Sequence, residues 1–167
     1  SVRKPDPLVE RADRLEVVER VDARGDVLVP LDVAQLEDAV GKLRDAGVRS
    51  VAICFMHSYR NPAHEEAAKQ AVRHLMPEAF VSVSSEVLPE FREYERMSTT
   101  VLNAYVGPRM RDYLDRFLGR MRELGIAAEP YAVHSNGGLL SAATVAAFPV
   151  RTCLSGPAAG VVGAAAV

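Results

Sequence analysis

The stretch SVAICF, Ser50–Phe55, is an almost unbroken apolar run, and its reading decides the fold class. A strand with one wet face alternates apolar and polar residues, whereas a run apolar at successive positions needs cover on both faces, as in a parallel sheet between helices. The flanks agree. On the N-terminal side Asp32 opens a helical pattern with Val33, Leu36, Val40 and Leu43 on one face. Gln35, three residues on, completes a reciprocal capping arrangement, and Gly47 ends the helix. On the C-terminal side Asn61-Pro62 is a cap followed by a first-turn proline. Ala67, Ala68, Ala71, Val72 and Leu75 then keep helical spacing up to Met76-Pro77. Phe80–Val83 is a second short strand. Strands alternating with helices predict an α/β fold, with a mixed, mainly parallel sheet flanked by helices.

Farther out, Arg14–Val21 and Val27–Val29 read as a hairpin around Ala23-Arg24-Gly25-Asp26. Ser98-Thr99-Thr100 opens a long helical pattern carrying Val101, Leu102, Tyr105, Met110, Tyr113, Leu114, Phe117 and Met121. Gly107-Pro108 predicts a kink or break within it, because proline lacks the N–H and crowds the preceding turn. Gly125 closes that segment. Pro130–His134 follows as a strand, Ser135-Asn136-Gly137-Gly138 as a turn, and Ser141–Ala147 as a short helix.

Pro149–Gly163, PVRTCLSGPAAGVVG, reads as an apolar strand entering a Ser-Gly-Pro turn and a helix of small residues. Ser155 is its expected cap, and Pro157 supplies first-turn geometry. The nearly bare backbone at Gly156, Ala158, Ala159, Gly160 and Gly163 leaves two readings open. The helix start can hold an anion such as phosphate, or the small face can admit another helix or domain.

The chain has 167 residues, 49% of them hydrophobic, enough for a real core. Its 20 basic and 22 acidic residues are interspersed, with a net charge of −2, so nothing marks a nucleic acid or an anionic membrane as a partner. The two cysteines, Cys54 and Cys153, indicate neither a disulfide framework nor a zinc site, and a cytoplasmic setting is expected. No run approaches the roughly 20 apolar residues that span a bilayer, and the start lacks a signal-peptide core. The polar opening without Met, and the end at Ala164-Ala165-Ala166-Val167 within a helical pattern, read as an excised segment of a longer protein.

In open α/β sheets, ligands gather beyond the carboxyl ends of strands. That singles out His57-Ser58, Ser84-Ser85-Glu86, His134–Gly138 and Leu154–Gly156. Before the long helix lie Glu86, Glu90, Glu93 and Glu95 beside Arg92 and Arg96. Paired carboxylates suit acid and base work or a metal, while the same charges also suit a solvated, ion-paired loop. His57, His64 and His74 are scattered and read as surface residues, and no metal-ligand spacing is present. The glycine pair at 137–138 lacks the GxGxxG or GxxxxGK[ST] spacing, so turn and phosphate-loop readings both stand.

Glu86–Met110 (EVLPEFREYERMSTTVLNAYVGPRM), His134–Ser141 (HSNGGLLS) and Pro149–Ala164 (PVRTCLSGPAAGVVGA) together resemble the hydantoinase A and 5-oxoprolinase family. Three separated blocks in the same order are far more specific than any one of them. The resemblance implies a partial actin-like (ribonuclease H-like) ATPase domain. Residues 1–97 would end an N-terminal hydantoinase/oxoprolinase domain, and 98–167 would start the core domain and finish in a crossover helix between lobes. It implies a parent enzyme that opens cyclic amides such as lactams or hydantoins, using ATP and a divalent cation, Mg or Mn. Relatives that serve as ketone carboxylase subunits supply an alternative, and a non-catalytic interaction module is a third. A second, hydantoinase B-type subunit or domain is the implied partner. Ser135, Asn136, Gly137, Gly138, Ser155 and Gly156 are then expected to line the nucleotide cleft, and Glu93, Glu95 and Arg96 are weaker catalytic candidates. The family's Asp-x-Gly-Gly-Thr phosphate loops are absent from these residues, so the segment alone is expected to be inactive, with no cofactor bound.

Overall fold

A computed structural model describes residues 7–165, in two compact units that divide between Tyr105 and Val106. The first begins with an antiparallel hairpin, β1 (Arg20–Val21) and β2 (Val27–Val29), whose register slips by one residue between Arg20 and Val21. Only the last two residues of the expected 14–21 strand pair. The turn is fixed by Asp22, whose Oδ1 accepts from the N–H groups of Arg24 (2.8 Å) and Asp26 (2.9 Å). Those backbone bonds, Asp26 foremost, hold its carboxyl below the usual range.

Helix α1 (Val33–Asp45) starts where its cap requires, with Asp32 Oδ1 accepting from Gln35 N at 2.9 Å. The expected return bond takes another course: Gln35 Oε1 accepts from Val18 N at 2.6 Å and ties the segment before β1 to the helix. Gly47, at φ +73°, takes the left-handed conformation that stops it.

Strand β3 (Ser50–Ile53) and, after helix α2 (Ala63–Leu75), strand β4 (Phe80–Val83) pair in parallel, Ser50 opposite Phe80 and Ile53 opposite Val83. Val51, Ile53 and Val83 point to one face and join Leu36 and Val40 of α1 and Ala68, Val72 and Met76 at the end of α2 in the core. The opposite face carries Ser50 and Ser82, and is covered by the first turns of the long helix. Asn103 Nδ2 donates to Ser82 Oγ (2.9 Å) and Ser50 Oγ donates to Ala104 O (2.6 Å). The two-sided cover expected of SVAICF is therefore present.

A single turn, α3 (Ser84–Val87), leads to helix α4 (Glu93–Glu123). It begins five residues before the expected Ser98 and runs unbroken through Pro108, correcting the predicted break.

The second unit holds an antiparallel hairpin, β5 (Tyr131–Val133) and β6 (Leu139–Ser141), with Ser135–Gly138 between them. Helix α5 (Ala142–Ala147) follows, capped by Ser141 Oγ accepting from Thr144 N at 3.2 Å. Pro149–Thr152 is one turn of 3-10 helix where a strand was expected, because Pro149 fixes φ and has no N–H for a ladder. Helix α6 (Ser155–Ala165) packs against β5. Ser155 is its first helical residue rather than its cap, preceded by Leu154 at φ +65°. The final residues Ala166 and Val167 lie outside the described residues.

The α/β class holds, but a single mixed, mainly parallel sheet does not form among the described residues. Among the described residues there are three separate two-stranded pairs, and only β3–β4 is parallel. Residues 139–141 escaped the sequence reading because three positions after an Asn-Gly-Gly turn cannot establish a period of two.

Candidate functional site

In the first unit the parallel pair releases two loops at its carboxyl end, and a buried carboxylate joins them. Glu65, fully buried on α2, accepts from Phe55 N (2.8 Å) and Ser84 Oγ (2.6 Å) through Oε1, and from Ser85 N (2.9 Å) through Oε2. Ser58 Oγ lies 3.1 Å from Ser84 Oγ. With three donors on its buried carboxyl group, Glu65 is a structural brace for Phe55, Ser84 and Ser85, and Ser58 joins through Ser84. Beside it, burial and then the Glu65 charge push the Cys54 thiol up to about 11, which keeps it protonated.

Arg96 is also buried, at 2% exposure. Its Nη2 donates to Phe55 O (2.7 Å), its Nη1 to Glu90 O (3.0 Å), and its guanidinium lies 5.6 Å from the Tyr59 ring centroid. His57 meets the same ring edge-on at 6.1 Å and sits at φ +56°, an uncommon conformation for a residue with a Cβ. Both His57 Nδ1 and Arg96 Nε are buried without a hydrogen-bond partner.

In the acidic stretch Glu86, Glu93 and Glu95 each have a cationic neighbour. Glu86 reaches Lys69 (2.5 Å), Glu93 lies 3.9 Å from Arg96, and the exposed Glu95 lies 3.9 Å from Arg92. No group of three His, Cys, Asp or Glu side chains that could hold a metal occurs among the described residues.

In the second unit, Ser135 ties the 135–138 loop to the chain preceding α6. Its N–H donates to Arg151 O (2.8 Å), and its hydroxyl contacts the carbonyls of Arg151 (2.8 Å) and Cys153. The other loop N–H groups bond inward: Asn136 N to His134 Nδ1 (3.0 Å), Gly137 N to His134 O (2.9 Å), Gly138 N to Asn136 Oδ1 (3.0 Å). Gly137 is at φ +89°, and a Cβ there would lie 2.8 Å from Val162 Cγ2 of α6, so its bare backbone answers a close approach.

Ser135, Asn136, Gly137 and Gly138 are thus joined to the segment that leads into Ser155 and Gly156. Helix geometry leaves the first N–H groups of α6 without intrahelical acceptors, and nothing lies within 4 Å of the place a Gly156 Cβ would take. Pro157 has no N–H and Ala158 N donates to Leu154 O (3.3 Å), so the start of α6 leaves at most the N–H groups of Ser155 and Gly156 for an anion, while the 135–138 loop has its own N–H groups engaged.

Sequence reading missed Glu65 and His64. Glu65 shares its helix face with Ala68 and Val72, three and seven residues on, so an acid at a core position was the available signal. His64, expected at the surface, is buried, its Nδ1 2.8 Å from Glu19 Oε2. Forty-five residues separate that pair, so local pattern gave no sign of it.

Residues 2–76 match the hydantoinase/oxoprolinase N-terminal region, and residues 96–167 match the hydantoinase/oxoprolinase family proper. The chain is 40% identical to caprolactamase subunit alpha of Pseudomonas jessenii over 90% of its own length and 22% of that protein. The crystal structure of ATP-dependent caprolactamase from the same organism gives a TM-score of 0.72, at 38% identity, over 81% of this chain and 20% of the other. The nucleotide-free structure of acetone carboxylase, which carries out ATP-dependent acetone carboxylation, gives a TM-score of 0.85, at 31% identity, over 97% of this chain and 23% of the other. 5-Oxoprolinase 1 of Arabidopsis thaliana is 33% identical over 82% of this chain and 11% of its own. The chain spans under a quarter of the length of the curated relatives it matches. Among the described residues no helix is long and apolar enough to cross a membrane.

Proposed function

This chain belongs to the hydantoinase/oxoprolinase family, and on that premise we propose that the protein it comes from opens a cyclic amide, a lactam or hydantoin, coupled to ATP hydrolysis. The observation that carries this reading is the likeness to caprolactamase, 40% identical to its alpha subunit over nine-tenths of this chain, which exceeds the 31% shared with acetone carboxylase.

In this proposal residues 1–97 end an N-terminal domain, and 98–167 begin an actin-like (ribonuclease H-like) core domain with α6 as the crossover helix. ATP, with Mg or Mn, would be held near Ser135, Asn136, Gly137, Gly138, Ser155 and Gly156. When bound it supplies a phosphoryl group able to turn a resonance-stabilised amide oxygen into a leaving group. The chain's own contribution is shape and donors. Ser135 locks the loop to the approach of α6, Gly137 lets the helix come close, and the first N–H groups of α6 offer a partial positive charge. Glu93, Glu95 and Arg96 are proposed to meet substrate or an adjoining domain. The isolated segment is proposed to be inactive, with a B-type subunit or domain as partner in the cytoplasm.

A second reading, the nucleotide-binding subunit of an ATP-dependent ketone carboxylase, draws on the closer fold match to acetone carboxylase, a TM-score of 0.85 over 97% of this chain. The deciding experiment measures ATP hydrolysis by the full-length protein, with and without its second subunit. The panel comprises lactams and hydantoins, and ketones with bicarbonate. Turnover with a lactam or hydantoin supports the first reading, turnover requiring ketone and bicarbonate replaces it with the second, and turnover with none removes both.

A further inference from the structure

We propose that His134 is a positioning residue of the 135–138 loop that exchanges a backbone hydrogen bond for a proton when an anion binds there. This rests on the reading that the loop lines the nucleotide site, and it adds a residue and a charge to that site. The four loop N–H groups are all engaged, but with acceptors of different kinds. Ser135 N donates to Arg151 O (2.8 Å), Gly137 N to His134 O (2.9 Å) and Gly138 N to Asn136 Oδ1 (3.0 Å). Carbonyl and amide oxygens keep their lone pairs at any ordinary pH. Asn136 N alone donates to a group that titrates, His134 Nδ1, at 3.0 Å.

A ring nitrogen that accepts a hydrogen bond carries no hydrogen of its own, so this imidazole is neutral, with its hydrogen on Nε2. Protonation puts a hydrogen on Nδ1 and makes both ring nitrogens donors, and the bond from Asn136 N can then no longer form. The freed N–H and the imidazolium are two donors, one of them charged, at the end of β5, and a phosphate oxygen is stabilised by each. Anion and proton therefore favour the same open form of the loop, and each raises the affinity for the other. Of the elements packed about the loop, β6, α5 and α6 carry no ionisable side chain. The others bring the Tyr131 phenol of β5, the Cys153 thiol, and the Arg151 guanidinium, which lies 4.2 Å over the Phe148 ring. Within that set imidazole is the group whose charge ordinarily changes between about pH 5 and 8.

The test is calorimetry of ADP binding to the full-length protein in two buffers of different ionisation enthalpy, which counts the protons taken up, with His134→Asn as the reference. An asparagine there can accept from the N–H two residues on through its side-chain oxygen, and it takes up no proton. At about pH 7 the wild type is expected to take up at least about 0.3 proton per ADP more than the variant. From about pH 8 to about pH 5.5 its affinity should rise at least about threefold relative to the variant's. Without ligand, hydrogen exchange in peptides covering 134–138, corrected for its intrinsic pH dependence, should quicken about threefold or more over the same range, and not in His134→Asn. If that variant fails to fold, the wild-type exchange profile decides. ADP binding with equal proton uptake in both proteins, or wild-type exchange that does not quicken, overturns the proposal and leaves the nucleotide reading standing. No ADP binding at any pH removes that reading, and the proposal with it.

Discussion

The hydroxyl of Ser50 donates to the carbonyl of Ala104 at 2.6 Å, and Ala104 is the residue whose carbonyl a helix would bond to the N–H of residue 108. Residue 108 is proline, with no N–H to give. The Ser50 hydroxyl from β3 supplies a donor in its place, and this satisfied carbonyl is one reason α4 runs on through Gly107-Pro108.

Replacing Ser50 by Ala leaves that carbonyl without its donor, and a loss of about 1–3 kcal/mol is expected in denaturant unfolding of the full-length protein. Pro108→Ala restores the helical donor, so Ser50→Ala should cost about 1 kcal/mol less in that background. Additive effects of the two changes would show that the Ser50 bond does not compensate for Pro108.

Glu65 holds three donors from two loops that diverge at the end of the parallel pair. Glu65→Ala strands them and is expected to cost about 3 kcal/mol, whereas Glu65→Gln, which keeps one acceptor oxygen, costs about 1–2 kcal/mol. Hydrogen exchange at Phe55 and Ser85 should quicken more than elsewhere in the first unit. A uniform change across the unit would argue against this local brace.

The two loop glycines should respond unequally to alanine. At Gly137 the φ of +89° and the 2.8 Å approach to Val162 act together, and about 1–3 kcal/mol is expected from Gly137→Ala. Val162→Ala in the same chain relieves the clash and leaves the backbone part. Gly138→Ala meets only Asn136 Oδ1 at 3.3 Å and should cost less. Thermal unfolding of the three variants separates these contributions.

Cys54 should resist alkylation in the folded protein at pH 8, while the exposed Cys153 reacts readily. Burial pushes its thiol up from an ordinary 9.0 to about 11, so between those values the folded state holds a proton that the unfolded state has released. Stability from this group is therefore complete below pH 9 and declines as pH rises toward 11, by up to about 2–3 kcal/mol. Cys54→Ala should flatten that part of the stability profile. Equal alkylation rates for the two cysteines would refute the assignment.

The helical periods at 33–45 and 63–75 and the apolar runs at 50–53 and 80–83 were legible because each pattern lies within a single element. The Asp32 cap was legible for the same reason. The Ser135–Gly138 turn was also visible, but not that its N–H groups bond inward, since that depends on the orientation of His134 and Asn136 and on Arg151, sixteen residues from Ser135. The pairing of Glu19 with His64 and the position of Arg96 over Tyr59 likewise left no local trace.

By itself the sequence determined the helices at 33–45 and 63–75, the strands at 50–53 and 80–83, and the α/β class, because residue spacing along one element sets which side chains share a face. The tertiary structure alone decided that the strands form three separate pairs, that α4 continues past its proline, and that Glu65 and Arg96 grip Phe55 from its N–H and its carbonyl. Each of those outcomes depends on a donor meeting an acceptor from a distant part of the chain, and such meetings exist only once the chain has folded.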